Sequence, residues 1–171
     1  MTGSIALVCE AYHTLPIAFF IYFCITKRLS VGRFVAIDYG TRRCGIAVSD
    51  PTGMYVSPLD TVASHELMNY LARYMESEQV TCLVVGKPLR MNGEPSEGFI
   101  HAQRFLQAFK KRFPGVRTDW MDERYTSKMA VRQMAEAGFS KKDRRDKGRI
   151  DRMSAALILR SYLDAEHPSG S

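Results

Sequence analysis

Residues 34–50 read Phe34-Val35-Ala36-Ile37-Asp38-Tyr39-Gly40-Thr41-Arg42-Arg43-Cys44-Gly45-Ile46-Ala47-Val48-Ser49-Asp50. Four apolar residues run into Asp38, the pattern of a buried strand with an aspartate at or near its end. Tyr39 to Arg43 is turn material. Cys44 to Ser49 is a second strand, and Asp50-Pro51-Thr52-Gly53 is a strong turn. Met54 to Val62 extends this to a third strand, interrupted by Pro58 and so placed at a sheet edge. Three strands with short links predict an antiparallel meander. An ionised carboxylate such as Asp38 beside a core is costly unless something pairs with it. The simpler reading of Asp38 is a turn residue that starts the hairpin.

Downstream the period changes. Ser64 is placed to cap a helix that carries Leu67, Leu71, Tyr74 and Met75 on one face. Val80 to Val85 is the most hydrophobic strand candidate, predicted to be central. Residues 86–98 hold two prolines and three glycines and read as a loop. Phe99 to Phe113 fits a helix with Phe99, Ala102, Phe105, Leu106 and Phe109 on its apolar side. Val116 to Met121 is a fifth strand. Ser127 to Ala137 is helical and stops at Gly138. Ser140 to Arg149 reads as a charged loop. Ile150 to Ala165 is a last helix, with Met153, Leu157 and Ile158 inward. The order β-β-β-α-β-α-β-α-α predicts a mixed α/β sheet with helices on its faces.

The chain has 171 residues, 46% hydrophobic and 25% charged, as expected of one globular domain. That excludes global disorder, collagen, long coiled coil and disulfide scaffolds. It argues against separate cofactor and substrate domains. The net charge of +6 leans towards an anionic partner such as nucleic acid. The four cysteines, Cys9, Cys24, Cys44 and Cys82, form no C-x-x-C pair and read as free thiols in a reducing, cytoplasmic compartment. The histidines His13, His65, His101 and His167 are scattered, so no nucleophilic triad can be argued.

Residues 1–32 stand apart from the rest. Leu15 to Ile25 is an apolar run of eleven residues, short of the roughly 20 that a membrane span needs. The charges Lys27 and Arg28 follow that run, the reverse of a signal peptide. Three readings stay open: a start codon set too early, with Val31 the natural start; a real extension, packed or disordered; and a membrane anchor. The first is preferred, and no membrane partner is expected. Residues 33–171 keep 22 of the 24 basic and 17 of the 18 acidic residues, so the positive excess belongs to the domain.

Three acidic positions could carry chemistry. Asp38 ends the first strand. Asp122-Glu123-Arg124 follows the fifth strand, where ligands gather at the carboxyl edge of parallel sheets. Asp151 opens the last helix. Helix capping and dipole complementation are the plainer explanations for the second and third. If the three converge, oxygen-only ligands suit Mg²⁺ or Mn²⁺. Two such ions can activate water and stabilise the leaving oxygen in phosphodiester cleavage, leaving a 5′-phosphate and a 3′-hydroxyl. The stretch Lys141, Lys142, Arg144, Arg145, Lys147, Arg149 and Arg152 is either a solvated loop or a clamp on a phosphate backbone. Lys87 and Arg90 could add to it.

The segment Val35 to Asp50 resembles the opening of the YqgF (RuvX-like) family. The resemblance continues through Val84-Val85-Gly86-Lys87-Pro88-Leu89-Arg90-Met91-Asn92-Gly93 and Asp122-Glu123-Arg124-Tyr125-Thr126-Ser127. It ends at Lys147-Gly148-Arg149-Ile150-Asp151 with Ala155 to Leu159, and so covers about residues 33–165. Four linked motifs in order are far more specific than any one. The resemblance implies a ribonuclease H-like fold: a five-stranded sheet, three strands antiparallel and then parallel ones, with helices on both faces. The domain would span 33–165, after an atypical segment 1–32 and before a tail 166–171. It implies a metal-dependent nuclease of structured nucleic acid that processes the 5′ end of pre-16S rRNA.

Asp38, Glu123 and Asp151 match the family's catalytic, metal-binding acids. Arg42, Lys87, Arg124, Lys147 and Arg149 are the expected contacts to substrate phosphates. Lys87 departs from the small or apolar residue common there. The alternatives are a four-way DNA-junction resolvase, which would act as a homodimer, and a non-catalytic RNA-binding ribosome-assembly factor. Asp38 to Thr41 also resembles the phosphate loop of actin-like ATPases, but those pair two domains and this chain has room for one.

Overall fold

The computed structural model describes residues 32–87, 96–122 and 126–166. All of them fall within one compact unit, Val31–Ser171. The N-terminal segment, most of the 86–98 loop, the Glu123–Tyr125 stretch and nearly all of the tail lie outside the described residues.

The sheet has five strands in the order β3-β2-β1-β4-β5. They are β1 (Arg33–Tyr39), β2 (Arg43–Ser49), β3 (Val56–Ala63), β4 (Val80–Lys87) and β5 (Arg117–Asp122). β1 pairs antiparallel with β2, and β2 with β3. β4 runs parallel to β1, and β5 parallel to β4. This is the mixed sheet that the resemblance implies. Pro58 sits on the edge strand β3 as expected, since it cannot donate to a ladder. Ile46 pairs Asp60 and Ala47 pairs Pro58, so Leu59 is the extra residue of a bulge beside the proline.

Helices cover both faces. α1 (Leu67–Ser77) and α2 (Glu97–Arg112) lie against one of them. There Leu67, Leu71, Phe105, Leu106 and Phe109 bury Val35, Ile37, Ile46, Leu83 and Val85. The other face carries Ala36, Ala47, Cys82 and Val84. It meets Ala155, Ile158, Leu159, Tyr162 and Leu163 of α4 (Lys147–Glu166). The alternation of large and small residues along β1 separates these faces. The alanines let the α4 backbone come close. Arg117 donates to the Tyr162 hydroxyl at 2.7 Å, and that hydroxyl donates to Asp119 at 3.1 Å, so β5 is tied to the same helix. α3 (Thr126–Glu136) packs beside α4.

Two local expectations are corrected. Ser64 does not cap α1: the flanking residue is Glu66, and no side chain caps the helix. Its hydroxyl donates instead to the Gly40 carbonyl at 2.6 Å and accepts from the Cys44 thiol at 3.5 Å. Pairing of Arg43 with Ala63 brings Ser64 beside the β1–β2 turn, which competes with the cap. Second, Ser140 to Arg149 is not all loop. Asp143–Arg145 forms a turn of 3₁₀-helix, and α4 begins at Lys147. Asp146 caps it, accepting from the Gly148 and Arg149 amides at 2.9 and 3.2 Å. Asp151 therefore stands in the second turn, too far along for dipole complementation to explain it. Met153 is half-buried and lines a cleft with Pro58 of β3, Met134 and Phe139.

Candidate active site

The carboxyl ends of β1, β4 and β5 point the same way. That edge is where an open parallel sheet collects ligands. Asp38 is the sixth residue of β1, on the face that carries Ala36 and so faces α4. Its register partner on β2 is Gly45. A Cβ at Gly45 would stand 2.0 Å from the carbonyl oxygen of Asp151 and 2.8 Å from the Arg152 nitrogen. Only a glycine lets the helix backbone settle there. The Thr61 hydroxyl donates to the Gly148 carbonyl at 2.7 Å and ties the start of α4 to β3. These contacts bring Asp151 beside Asp38, although the two are far apart in sequence.

The electrostatics follow from that meeting. Burial pushes the Asp38 carboxyl up from 3.8 to about 7, and the negative charge of Asp151 pushes the same way. A hydrogen bond from the Ser154 hydroxyl opposes the shift. Ser154 itself is fully buried, one turn along α4 from Asp151. Arg43 forms an ion pair with Asp151 across 108 residues of sequence. Burial also raises the neighbouring Cys44 thiol to about 11, despite its bonds to Ser64 and the Gly40 carbonyl. It is a protonated packing residue at neutral pH.

The two carboxylates have the chemistry of a cation site. They share a partly buried place, where burial first and then the charge of Asp151 raise the Asp38 carboxyl to about 7. A hard divalent ion would relieve both the burial penalty and the repulsion. Among the described residues no third His, Cys, Asp or Glu joins them to complete a metal-binding group. Glu123, the third carboxylate expected from sequence, lies outside the described residues, directly after the end of β5 at Asp122.

The expected phosphate contacts are spread around this edge. Arg42 is exposed in the β1–β2 turn. Lys87 ends β4 opposite Asp122, with its ammonium 5.8 Å from the centre of the Phe99 ring. Lys147 is the exposed first residue of α4. Arg149 is bound to Asp143 at 3.1 Å and to Asp146 at 3.7 Å, so its charge is partly balanced within the protein. Arg124 lies outside the described residues.

Sequence reasoning missed Arg43, Ser154 and the part played by Gly45. Arg43 looked like turn material, and Ser154 like one more small residue on a helix. Gly45 carried the one available signal, a glycine inside a strand, which marks a close backbone approach.

The family model described as "RuvX: Holliday junction resolvase" matches residues 32–165. A relative from Bacteroides thetaiotaomicron is 44% identical over 136 residues, which are 80% of this chain and 99% of that protein. One from Christiangramia forsetii is 45% identical over 133 residues, 78% of this chain and 98% of its own. One from Porphyromonas gingivalis is 44% identical over 134 residues, 78% and 97%. Each of the three bears the name "Putative pre-16S rRNA nuclease". No described helix is long and apolar enough to cross a membrane. The matched stretch runs from the start of β1 to the last turn of α4, through the pair of carboxylates that these elements bring together, and the chain belongs to the RuvX family.

Proposed function

We propose that the protein is a divalent-metal-dependent endonuclease that cleaves phosphodiester bonds of structured RNA, at the 5′ end of pre-16S rRNA. The observation that carries this reading is the meeting of Asp38, on the middle strand, with Asp151 on α4. The names of the relatives direct it to ribosomal RNA. Asp38, Asp151 and Glu123 hold the cation, Mg²⁺ or Mn²⁺. When bound, it supplies Lewis-acid activation of water and charge stabilisation at the departing oxygen. The chain's own residues do the rest. Ser154 holds the Asp38 carboxylate by a hydrogen bond, and Arg43 balances the charge of Asp151. Arg42, Lys87, Arg124, Lys147 and Arg149 supply positive charge for substrate phosphates, Arg149 while anchored to Asp143 and Asp146.

The test offers a precursor with its native 5′ leader and a four-way DNA junction side by side, with Mg²⁺ or Mn²⁺. RNA cleavage that disappears in Asp38→Asn is the expected result. The description of the matching family favours a second reading, a junction resolvase. Cleavage of the junction alone, by a dimer, would move the assignment there. Binding without cleavage of either substrate would leave a ribosome-assembly factor.

A further inference from the structure

A cleft of about 170 Å³ lies between β3, α3 and α4, lined by Pro58, Met134, Phe139, Arg149, Arg152 and Met153. On α4 its residues are 149, 152 and 153, which at about 100° per residue share a face turned away from Asp151.

The far wall is built by the end of α3. The Phe139 amide donates to the Met134 carbonyl at 2.9 Å, and the Gly138 amide donates to the Ala135 carbonyl at 3.1 Å. Gly138 has φ 80°. This is a Schellman motif, in which the residue after the glycine meets the third residue from the helix end. Here that contact joins Phe139 to Met134. A helix stop needs no more than this. Yet Met134 is fully buried, while Phe139 keeps 38% of its surface in water, beside two guanidinium groups.

Charge separates the two arginines. Arg149 is paired with Asp143 and Asp146. The Arg152 guanidinium has no hydrogen bond or ion pair to another described residue. An aromatic ring, two thioethers and a guanidinium without a described partner around a space the size of one heterocycle suit a nucleotide. The base stacks on the ring, and the guanidinium meets its phosphate.

We propose that this cleft takes one unpaired base of the nucleic-acid strand, stacked on Phe139, with the phosphate of that nucleotide on Arg152. The inference rests on the nuclease reading and deepens it: the substrate must present a single-stranded nucleotide in addition to the bond that is cleaved.

The test is a binding scan in EDTA, where nothing is cleaved. A fluorescein-labelled single-stranded RNA is made with each position in turn abasic. Wild-type protein should lose roughly tenfold in affinity at one position of the scan. Phe139→Ala should bind the intact RNA about as weakly, and its scan should be flat at that position. Phe139→Leu, which keeps the apolar contact with Met134, should show the same flat scan with an unchanged melting temperature. Arg152→Gln should weaken every member of the scan and reduce the salt dependence.

A flat scan for wild type, no RNA binding at all, or a dip that survives in both Phe139 variants would each overturn the proposal. So would a change of oligomeric mass in Phe139→Ala with the dip intact, which assigns the cleft to a second copy of the chain. Metal-dependent cleavage of the same RNA is scored separately. A flat scan with cleavage retained removes only the base site, and a dip without cleavage removes only the nuclease reading.

Discussion

At the scale of single residues, the decisive group is Asp38. Its carboxyl titrates at about 7 in the folded chain, against 3.8 ordinarily. Between these values the folded chain keeps a proton that the unfolded chain has released. Stability therefore falls as pH rises through that window, and the full penalty applies above it. Asp38→Asn removes the titrating group. In metal-free protein its melting temperature should match wild type near pH 4 and exceed it at pH 8, by up to about 4 kcal/mol in stability. A difference between the two proteins that does not change with pH would contradict the account. The same group sets the response to ions. Deprotonation of Asp38 opens the site, so a fixed concentration of Mn²⁺ should raise the melting temperature more at pH 8 than at pH 6. No shift at either pH would take Asp38 and Asp151 out of metal binding.

At the scale of elements, α4 does most of the positioning. Its start is capped by Asp146, tied to β3 through Thr61, and seated on Gly45. Gly45→Ala puts a methyl group against the Asp151 carbonyl, and backbone has little freedom to yield. The expected loss is about 2–3 kcal/mol by urea denaturation. Cleavage should fall with it, although no catalytic group is removed. Wild-type stability and activity in this variant would mean that the helix does not rest on β2. Asp146→Ala should cost about 1 kcal/mol by the same measurement, with the loss traced to the helix start by hydrogen exchange. The element boundaries show where sequence reading succeeds. Strand and helix identities follow from periodicity, and all five strands and the four α-helices overlap the segments it gives them, while the 3₁₀ turn at Asp143–Arg145 and the start of α4 at Lys147 fall in the stretch expected as loop. The capping residues of α1 and α4 do not follow. Ser64 and Asp146 each have several local partners to choose from, and sheet pairing decides which they meet.

At the scale of the whole molecule, the net charge of +6 and its placement govern encounter with nucleic acid. If the five expected basic contacts are all made to a single strand, log affinity should fall with log salt at a slope of roughly −3 to −4. A slope near zero would remove the phosphate clamp. The sequence alone determined the class of fold, the succession of its elements along the chain and the family, because those rest on local hydrophobic period and on motifs written consecutively. It also determined that Asp38 ends a buried strand. Only the tertiary structure decided that Arg43 pairs with Asp151, that Ser154 bonds to Asp38, and that Met153 lines a cleft with Phe139. The reason is physical. These contacts join residues on different elements, and which side chains meet depends on how closely α4 can approach the sheet. That approach is set by the missing side chain at Gly45 and by the small residues Ala36 and Ala47. A local pattern shows these as small residues in strands, and only packing shows what they admit.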